Sequence, residues 1–242
     1  TPSWSYSTGH DVYSVAISQD GEYIVAGSDD NKVYLFDKDS STPEWSYNTN
    51  DDVKHVAISA DGEYVVAGTW NSKVFLFDKD SSTPIWTHDT GNLNIDSLAM
   101  SADGQYIAAG GEDSKVYVYS RDSSTPLWTY NMGGNVKAIA ISADGEYIVA
   151  GGNSDKVRLF DKDSSTPLWT YSTGGDVHTV SISADGKYIT AGSNDNKVYL
   201  FNKDSNTPLW SYTTGNDVKA IDISEDGEFV VVGSEDDKIY LF

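Results

Sequence analysis

The feature that most restricts the fold of this sequence is a repeat of about 41 residues. Six tryptophans mark it, with separations of 41, 41, 42, 41 and 41 residues: Trp4, Trp45, Trp86, Trp128, Trp169 and Trp210. The longer interval reflects one residue inserted near 92–94. A fixed period in this range is typical of propellers and solenoids, in which each repeat packs against its neighbours. We therefore expect one domain, 1–242, with repeats that begin near residues 9, 50, 91, 133, 174 and 215.

Each repeat contains four short segments with strand character, as the second copy illustrates. Residues 53–59 (VKHVAIS) and 64–68 (YVVAG) are rich in β-branched residues, and a turn at Asp61 and Gly62 separates them. Residues 74–77 (VFLF) form a third segment, which ends at a DKDSSTP loop, and a short fourth segment surrounds Trp86. The apolar residues do not have helical spacing. The pattern predicts an all-β chain of antiparallel four-stranded sheets.

The distribution of apolar residues favours a propeller over other repeat folds. Residues 33–36 (VYLF) are apolar at every position, so both faces of the sheet are apolar. Both faces are buried when radial sheets pack in a ring, and we therefore predict a six-bladed β-propeller. The last copy ends after its third segment, whereas residues 1–7 (TPSWSYS) have the sequence of a fourth segment. These residues are expected to complete the last blade as its outer strand and to close the ring.

Two segments resemble known families. Residues 11–39 (DVYSVAISQDGEYIVAGSDDNKVYLFDKD) resemble WD-repeat blades, with Phe-Asp in place of the Trp-Asp pair. Residues 198–218 (VYLFNKDSNTPLWSYTTGNDV) resemble the repeats of quinoprotein-type propellers. The resemblance implies the propeller fold. Quinoprotein dehydrogenases usually have eight blades and often adjacent cysteines at the cofactor, whereas this chain has no cysteine. No cofactor is therefore predicted.

The charge of the chain restricts its partners. Its net charge is −21 and its pI about 4.2, so neither nucleic acid nor an anionic membrane is expected to bind. No apolar run approaches the ~18 residues of a membrane span. The absence of cysteine excludes disulfides but does not determine the compartment. No initiator methionine or signal peptide precedes Thr1, so we expect an excised or processed domain, and we expect it to be a monomer. The sequence leaves the compartment unknown. Because propellers of this kind are often one module of a longer surface protein, an extracytoplasmic or cell-surface module of a prokaryotic protein is the candidate.

Motifs for catalysis or metal binding are weak. The chain has four histidines, which occupy different places in the repeats: His10, His55, His88 and His178. It contains no catalytic or phosphate-binding motif. The DKDSS loops space oxygen atoms as a calcium loop does, but they lack its glycine and its later glutamate. We interpret them as turns in which Asp and Ser side chains bond the local backbone. Neither a metal site nor a catalytic residue is predicted.

One position varies between copies while most others repeat. The second residue of strand one is, in successive copies, Tyr13, Lys54, Asp96, Lys137, His178 and Lys219. Strand one is innermost in a propeller, so we expect these side chains, with the lysines on alternate blades, at one mouth of the channel. Trp70 lies outside the tryptophan column that marks the repeats, and we expect it on the same face. An acidic outer ring is expected around these residues: Asp29, Asp30, Glu112, Asp113, Asp195, Glu235 and Asp236. The alternative is a solvated rim that varies freely.

These features favour a non-enzymatic interaction scaffold that binds a protein, a peptide or a small anion around the channel mouth. Two alternatives stay open from sequence. One is a hydrolase or lyase that uses acidic residues in the channel, and the other is a structural or designed repeat module without a ligand. The predicted binding residues are Lys54, Lys137, Lys219, Tyr13, Asp96, His178 and Trp70.

Overall fold

The regular structure of the chain is entirely β. The computed structural model describes residues 1–91 and 93–242, which form 23 strands in six antiparallel sheets, five of four strands and one of three. This confirms the predicted all-β class and the six-sheet architecture of a β-propeller. Neither of these two ranges contains a helix, and hence neither contains an apolar helix of membrane-spanning length. We call the sheets blades 1 to 6 in chain order.

In blades 1 to 3, the strands pair in chain order, from an inner first strand to an outer fourth strand. Blade 1 consists of β1 (Val12–Ile17), β2 (Tyr23–Ser28), β3 (Lys32–Asp37) and β4 (Trp45–Asn48). Blade 2 consists of β5 (Val53–Ile58), β6 (Tyr64–Thr69), β7 (Lys73–Asp78) and β8 (Trp86–Asp89). Blade 3 consists of β9 (Ile95–Met100), β10 (Tyr106–Gly111), β11 (Lys115–Ser120) and β12 (Trp128–Asn131). The connection between β8 and β9 is one residue longer than its equivalents, and Asn92 within it is outside the described residues.

Blades 4 and 5 repeat this arrangement, whereas blade 6 has three strands. Blade 4 consists of β13 (Val136–Ile141), β14 (Tyr147–Gly152), β15 (Lys156–Asp161) and β16 (Trp169–Ser172). Blade 5 consists of β17 (Val177–Ile182), β18 (Tyr188–Ser193), β19 (Lys197–Asn202) and β20 (Trp210–Thr213). Blade 6 consists of β21 (Val218–Ile223), β22 (Val230–Ser234) and β23 (Lys238–Leu241).

Side chains within the turns fix the ends of the strands. After β1, Ser18 Oγ donates a hydrogen bond to Asp20 Oδ1 at 2.6 Å, and Gly21 has a φ of 76°, which favours glycine. In the DKDSS loop of blade 1, Asp37 Oδ1 accepts the Asp39 N–H at 2.8 Å. The loop of blade 2 makes the same contact. The interpretation of these loops as backbone-bonded turns is confirmed.

Neighbouring blades pack face to face through apolar side chains. Between blades 1 and 2, Val25, Val33 and Leu35 form one buried cluster with Val53 and Val56. We call the surface that a blade turns towards the next blade its forward face, and the opposite surface its rear face. The five contacts between successive blades repeat this pairing of a forward face with a rear face.

A glycine of the second strand sets the closeness of these contacts. A Cβ added at Gly27 would lie 2.6 Å from Val53 Cγ1, and one added at Gly68 would lie 2.7 Å from Ile95 Cγ2. No side chain larger than hydrogen fits there without a shift of the next blade. The glycine therefore determines how closely the sheets approach.

The tryptophan of each outer strand packs on the next blade. The ring centres of Trp45 and Phe77 are 5.2 Å apart, and Trp45 Nε1–H donates to the Lys79 carbonyl at 2.7 Å. Trp128 makes the equivalent contacts with blade 4, with a ring distance of 5.3 Å to Phe160. The tryptophan column is architectural, as predicted.

A series of backbone hydrogen bonds links the turns that follow the inner strands. Each turn donates an N–H to the carbonyl of the same turn in the next blade, at 2.8–3.0 Å: Gln19 to Ala60, Ala60 to Ala102, Ala102 to Ala143, Ala143 to Ala184 and Ala184 to Glu225. The blades are thus tied together at one end of the central axis.

The ends of the chain differ from the sequence prediction. Residues 1–7 form no strand, and the expected pairing of these residues with β23 is not formed, so blade 6 keeps three strands. Trp4 packs on blade 1 as the outer-strand tryptophans pack on the next blade, with its ring 5.3 Å from that of Phe36 and its Nε1–H donating to the Lys38 carbonyl at 2.6 Å. These contacts satisfy Trp4 without β23. In the part of the chain that the structure describes, inner strands pack in the series β1, β5, β9, β13, β17 and β21, without equivalent packing of β21 on β1. The sheets form an open series.

An aspartate before strand three connects successive blades. Asp236 Oδ2 accepts hydrogen bonds from Tyr240 Oη at 2.5 Å and from the Gly215 N–H, which follows β20 of blade 5, at 2.8 Å. Asp195 makes the equivalent two contacts between blades 4 and 5. The Tyr240 hydrogen bond, aided by Gly215, outweighs desolvation and lowers the pKa of Asp236 to about 2.

Replacing Gly68 by alanine should destabilise the fold, because the added methyl group meets Ile95 at 2.7 Å. We expect the free energy of unfolding to fall by about 1–3 kcal/mol in urea denaturation. Gly233 holds the same repeat position in blade 6, where the nearest contact of an added Cβ is 3.7 Å, so Gly233→Ala is the matched control. In dilute protein it should change stability by under about 0.5 kcal/mol. Equal losses in the two variants would contradict the open arrangement.

The depressed pKa of Asp236 predicts a dependence of stability on acid. Because the pKa in the folded state is about 2, below its usual value of 3.8, this carboxylate stabilises the fold above pH ~4, and its contribution is lost as the pH falls towards ~2. Tyr240→Phe removes the donor and should raise the pKa of Asp236 towards 3.8, measured by NMR titration of the carboxyl carbon. Tyr106→Phe, in blade 3, is the control. An Asp236 that titrates near 3.8 in the unmodified protein would show that the contact is not formed.

Candidate binding face

The six variable positions lie at a β-bulge in every blade. In blade 1, Val12 pairs with Ser28 and Ser14 with Gly27, which leaves Tyr13 out of the ladder. The same shift omits the other variable residues: Lys54, Asp96, Lys137, His178 and Lys219. We call these six the bulge residues. In a strand, successive side chains point to opposite faces of the sheet. A bulge releases one residue from this alternation and redirects its side chain. The variable positions are therefore those that the strand ladder constrains least.

Bulge residues of neighbouring blades contact each other in pairs. Lys54 Nζ lies 3.2 Å from the centre of the Tyr13 ring. Lys137 Nζ lies 2.8 Å from Asp96 Oδ2, and Lys219 Nζ lies 3.2 Å from His178 Nε2. The structure thus joins the six predicted residues as three pairs, each across a boundary between blades.

Lys54 is held between two aromatic rings and a carboxylate. Its Nζ is 3.9 Å from the centre of the Trp70 ring and 2.7 Å from Asp29 Oδ1, and the residue is 7% exposed. Burial alone would lower the pKa of Lys54, but the hydrogen bonds to Asp29 and Tyr13 outweigh it and raise the pKa. Cation–π contacts of this kind stabilise a desolvated ammonium group. Tyr13 and Trp70 remain about half exposed, at 54% and 47%, so their outer surfaces are free.

Lys219 has a more polar surrounding. Its Nζ lies 3.1 Å from Asp217 Oδ2, 3.3 Å from Glu235 Oε1 and 3.2 Å from Asn194 Oδ1. Desolvation lowers the pKa of Lys219, but the hydrogen bonds to Asp217 and Glu235 outweigh it, and the pKa is raised. Each of the three bulge lysines is therefore already paired with at least one carboxylate.

The carboxylates around the bulge lysines outnumber them. Five carboxylates lie 2.7–3.8 Å from the three ammonium groups: Asp29, Asp52, Asp96, Asp217 and Glu235. Because each ammonium group has an internal counter-charge, a free anion would have to displace or join a carboxylate. The cationic centre expected from the sequence is thus electrostatically neutralised from within the chain.

Six of the seven residues of the predicted acidic ring, all except Glu112, have one of two roles. Asp29 and Glu235 bind bulge lysines. Four others accept a hydrogen bond from a tyrosine four residues later: Asp30, Asp113, Asp195 and Asp236. These four carboxylates hold strand three and the preceding loop, so they belong to the architecture more than to a binding surface.

Sequence reasoning placed Trp70, Asp29 and Glu235 on this face but missed which side chains contact each lysine. Part of the surroundings comes from a second variable column, the position after strand two, which contains Asp29, Trp70, Asn194 and Glu235. Asp52 and Asp217, two residues before Lys54 and Lys219, supply further contacts. Lys54 lies between Asp29 of the preceding blade and Trp70 of its own blade. Lys219 lies between Asn194 and Glu235 in the same way. This second column varies between copies, and that variation is visible in the sequence. Its contacts with the bulge residues are visible only in the structure, where the bulge brings the two columns together.

One group of possible metal ligands adjoins this face. Single ligand atoms of His10, Asp11 and Asp29 lie within 4.8 Å of one another. The histidine spacings in the sequence did not predict this grouping, because two of the three ligands are aspartates. The ammonium group of Lys54, 2.7 Å from Asp29, competes with a cation for that carboxylate.

A cavity of about 490 Å³ lies at the opposite ends of the inner strands. Its lining repeats one isoleucine or methionine and, in four blades, one alanine: Ile17, Ile58, Met100, Ile141, Ile182, Ile223, Ala60, Ala102, Ala143 and Ala184. Gln19 and Glu225 take the alanine position in blades 1 and 6. Among the described residues, Glu225 is the one carboxylate of this lining.

Two family models match the repeats of this chain. A family model described as outer membrane protein assembly factor BamB matches residues 71–214 and 153–242, which together cover more than half of the chain. The chain belongs to the BamB family. A second family model, described as WD domain, G-beta repeat, matches residues 2–37 and 41–78. The search of curated proteins found no match.

The BamB-family and WD-repeat matches agree with the geometry. Together they account for repeats of about 41 residues that form four-stranded antiparallel sheets. The resemblance to WD-repeat and quinoprotein-type propellers is confirmed. WD-repeat propellers are typically non-enzymatic, whereas the quinoprotein-like repeat families include some enzymes.

Replacing Lys54 by glutamine should destabilise the fold more than the same change at Lys137. The Lys54 side chain is 6% exposed and Asp29 13%, so Lys54→Gln leaves a largely buried carboxylate without its cation. We expect a loss of roughly 1–3 kcal/mol in urea denaturation. Lys137 is 32% exposed, and Lys137→Gln should cost under about 1 kcal/mol. Similar losses for both would show that Lys54 is solvated in solution.

Proposed function

We propose that the protein is a non-enzymatic interaction scaffold, and that the bulge residues together with Trp70 bind a protein or a peptide. One observation carries this proposal. The two columns that vary between otherwise similar repeats lie together on one face, and a β-bulge frees one of them from the strand ladder. Many positions that pack the blades repeat, so the variation in these two adjoining columns suits recognition of a partner.

The aromatic pair supplies the anchor in this proposal. Tyr13 and Trp70 flank Lys54 and leave about half of their surfaces exposed. Tyrosine and tryptophan are enriched at binding hot spots because they present large apolar area with a polar group. Lys54 fixes both rings, so little conformational entropy is lost when a partner covers them.

The family matches support a protein partner. WD-repeat and BamB-like repeat families generally act as protein-interaction scaffolds. The matching family is named as an assembly factor, which agrees with action on another protein. The net charge of −21 disfavours nucleic acid and anionic membranes as partners.

The observations support a peptide more than a small anion or a substrate. Each bulge lysine is paired with a carboxylate at 2.7–3.1 Å, so a small anion competes with these internal charges. The enzyme alternative would draw on channel carboxylates. Those beside the bulge residues lie against lysines, and the cavity at the other end has Glu225 as the one carboxylate of its described lining. A purely structural module would use the contacts of Tyr13 and Trp70 with Lys54 and would leave the exposed half of each aromatic residue without a role.

Selection of peptides tests the proposal directly. A phage-displayed library of random 12-residue peptides would be selected against the immobilised protein, and enriched peptides would be titrated by calorimetry. We expect Tyr13→Ala with Trp70→Ala to weaken their binding at least ~10-fold, as loss of aromatic anchors usually does. Leu127→Ala, at an apolar residue 51% exposed outside this face, is the control and should leave binding unchanged.

Two results would contradict the proposal. One is a set of peptides that bind the double variant as tightly as the unmodified protein, and the other is a loss of binding in the Leu127 control. The small-anion version is tested separately by titration with citrate. Binding of citrate that is abolished in Lys54→Gln/Lys137→Gln/Lys219→Gln would favour the anion over the peptide.

A further inference from the structure

The two ends of the blade series expose apolar faces that are buried elsewhere. On the rear face of blade 1, Val15 and Ile17 are 67% and 60% exposed. On the forward face of blade 6, Ile239 and Leu241 are 82% and 69% exposed. The equivalent residues of inner contacts, such as Val56, Val33 and Leu35, are 8%, 0% and 0% exposed. Contiguous apolar exposure of this kind marks an interaction surface.

The two exposed faces are the two halves of one interface. Between blades 1 and 2, forward-face residues Val33 and Leu35 pack with rear-face residues Val53 and Val56. Ile239 and Leu241 hold the forward-face positions in blade 6, and Val12 and Val15 hold the rear-face positions in blade 1. The chain therefore carries, unpaired at its ends, the same complementary surfaces that it joins five times internally. Asp222, the polar exception on the forward face, accepts a hydrogen bond from Ser181 Oγ at 3.0 Å.

Residues 1–7 already lie where the outer strand of a preceding blade would lie. The distance between the rings of Trp4 and Phe36, 5.3 Å, matches that between Trp45 and Phe77, 5.2 Å. The Gly9 N–H donates to Asp30 at 2.8 Å, as the Gly174 N–H does to Asp195. Blade 1 thus presents a fourth strand for a three-stranded sheet that docks on its rear face.

Blade 6 offers the matching three-stranded sheet. In blade 1, Lys32 pairs with Asn48 and Leu35 with Trp45. The same register would pair Lys238 with Ser7 and Leu241 with Trp4. β23 is an edge strand with open hydrogen-bonding groups, and such edges readily accept a further strand.

We propose that blade 6 of one copy docks on the rear face of blade 1 of a second copy, and that residues 1–7 of the second copy pair with β23. The contact is head-to-tail, because it joins two different surfaces. It replaces the monomer expected from the sequence. It is tested separately from the proposed peptide site by changes at Val15 and Ile239, which are not residues of that site.

Docking of a second copy is favoured over closure within one copy because closure would require the tight contacts between successive blades to shift. Added methyl groups at Gly27, Gly68 and Gly110 would meet the next blade at 2.6–2.7 Å, so these sheets are already as close as their side chains allow. The five turn-to-turn hydrogen bonds fix the opposite ends of the inner strands. To bring blade 6 onto blade 1 of the same copy, several of these tight contacts would have to change together.

Charge introduced on either face tests the proposal. Val15→Asp blocks the rear face, and Ile239→Asp blocks the forward face; both positions are exposed, so each variant should fold, as checked by circular dichroism. By sedimentation equilibrium, the unmodified protein should form concentration-dependent oligomers, and each variant should be monomeric. An equimolar mixture of the two variants should give a dimer, because the mixture retains one intact junction. Monomeric unmodified protein at all concentrations, or a mixture that stays monomeric, would overturn the proposal.

Engineered cysteines distinguish a second copy from closure within one copy, because the chain has no cysteine of its own. Ser7→Cys and Lys238→Cys occupy the proposed paired positions. On mild oxidation, the double variant should form disulfide-linked oligomers, and a mixture of the two single variants should form a mixed dimer. A double variant that oxidises quantitatively to a monomer with an internal disulfide would overturn the proposal in favour of a closed ring.

Discussion

The arrangement of the sheets depends on the contact between a glycine of each second strand and a valine or isoleucine of the next inner strand. At Gly27 and Gly68 the space for a side chain is filled by Val53 and Ile95. This contact fixes the distance between sheets, and the tryptophan of the outer strand and the turn-to-turn hydrogen bonds act around it. Because each blade touches only its neighbours, stability is approximately a sum of similar contacts. The same residues must therefore recur in every copy.

Function is then confined to positions that this packing leaves free. The bulge at the start of each inner strand is one such place, since the residue there is released from the ladder and contacts a neighbouring blade. The ends of the series are another, since the faces of blades 1 and 6 lack the neighbour that covers them elsewhere. One place presents varied side chains to a foreign partner. The other presents repeated side chains that fit a copy of the same chain.

Much of the fold could be predicted from the sequence because its signals are local. The segments predicted at 53–59, 64–68 and 74–77 correspond to β5, β6 and β7, with boundaries that differ by one residue. Alternation of apolar residues, the Asp-Gly turn and the DKDSS loop all act within a few residues. The order of strands from inner to outer also follows from short antiparallel connections.

Closure and the lysine surroundings could not be predicted because they depend on distant geometry. Residues 1–7 have the sequence of an outer strand, but whether they reach β23 depends on the accumulated angles of five blade contacts. The Trp4 ring packs on blade 1 and its N–H is hydrogen-bonded there, whether or not residues 1–7 pair with β23. Similarly, no local sequence pattern predicts the bulge at Lys54. Without the bulge, the contacts of Lys54 with Asp29 and Trp70 could not be predicted.

Hydrogen exchange in β23 tests the open series of blades most directly. Measured by mass spectrometry in dilute protein, amides of 238–242 at an unpaired edge should exchange much faster than those of the equivalent residues 197–201, which β20 covers in blade 5. Rapid exchange of 238–242 that slows as the protein concentration rises is the result that this account predicts. Equal, concentration-independent protection of the two segments would show that blade 6 is already covered within one copy, and would contradict it.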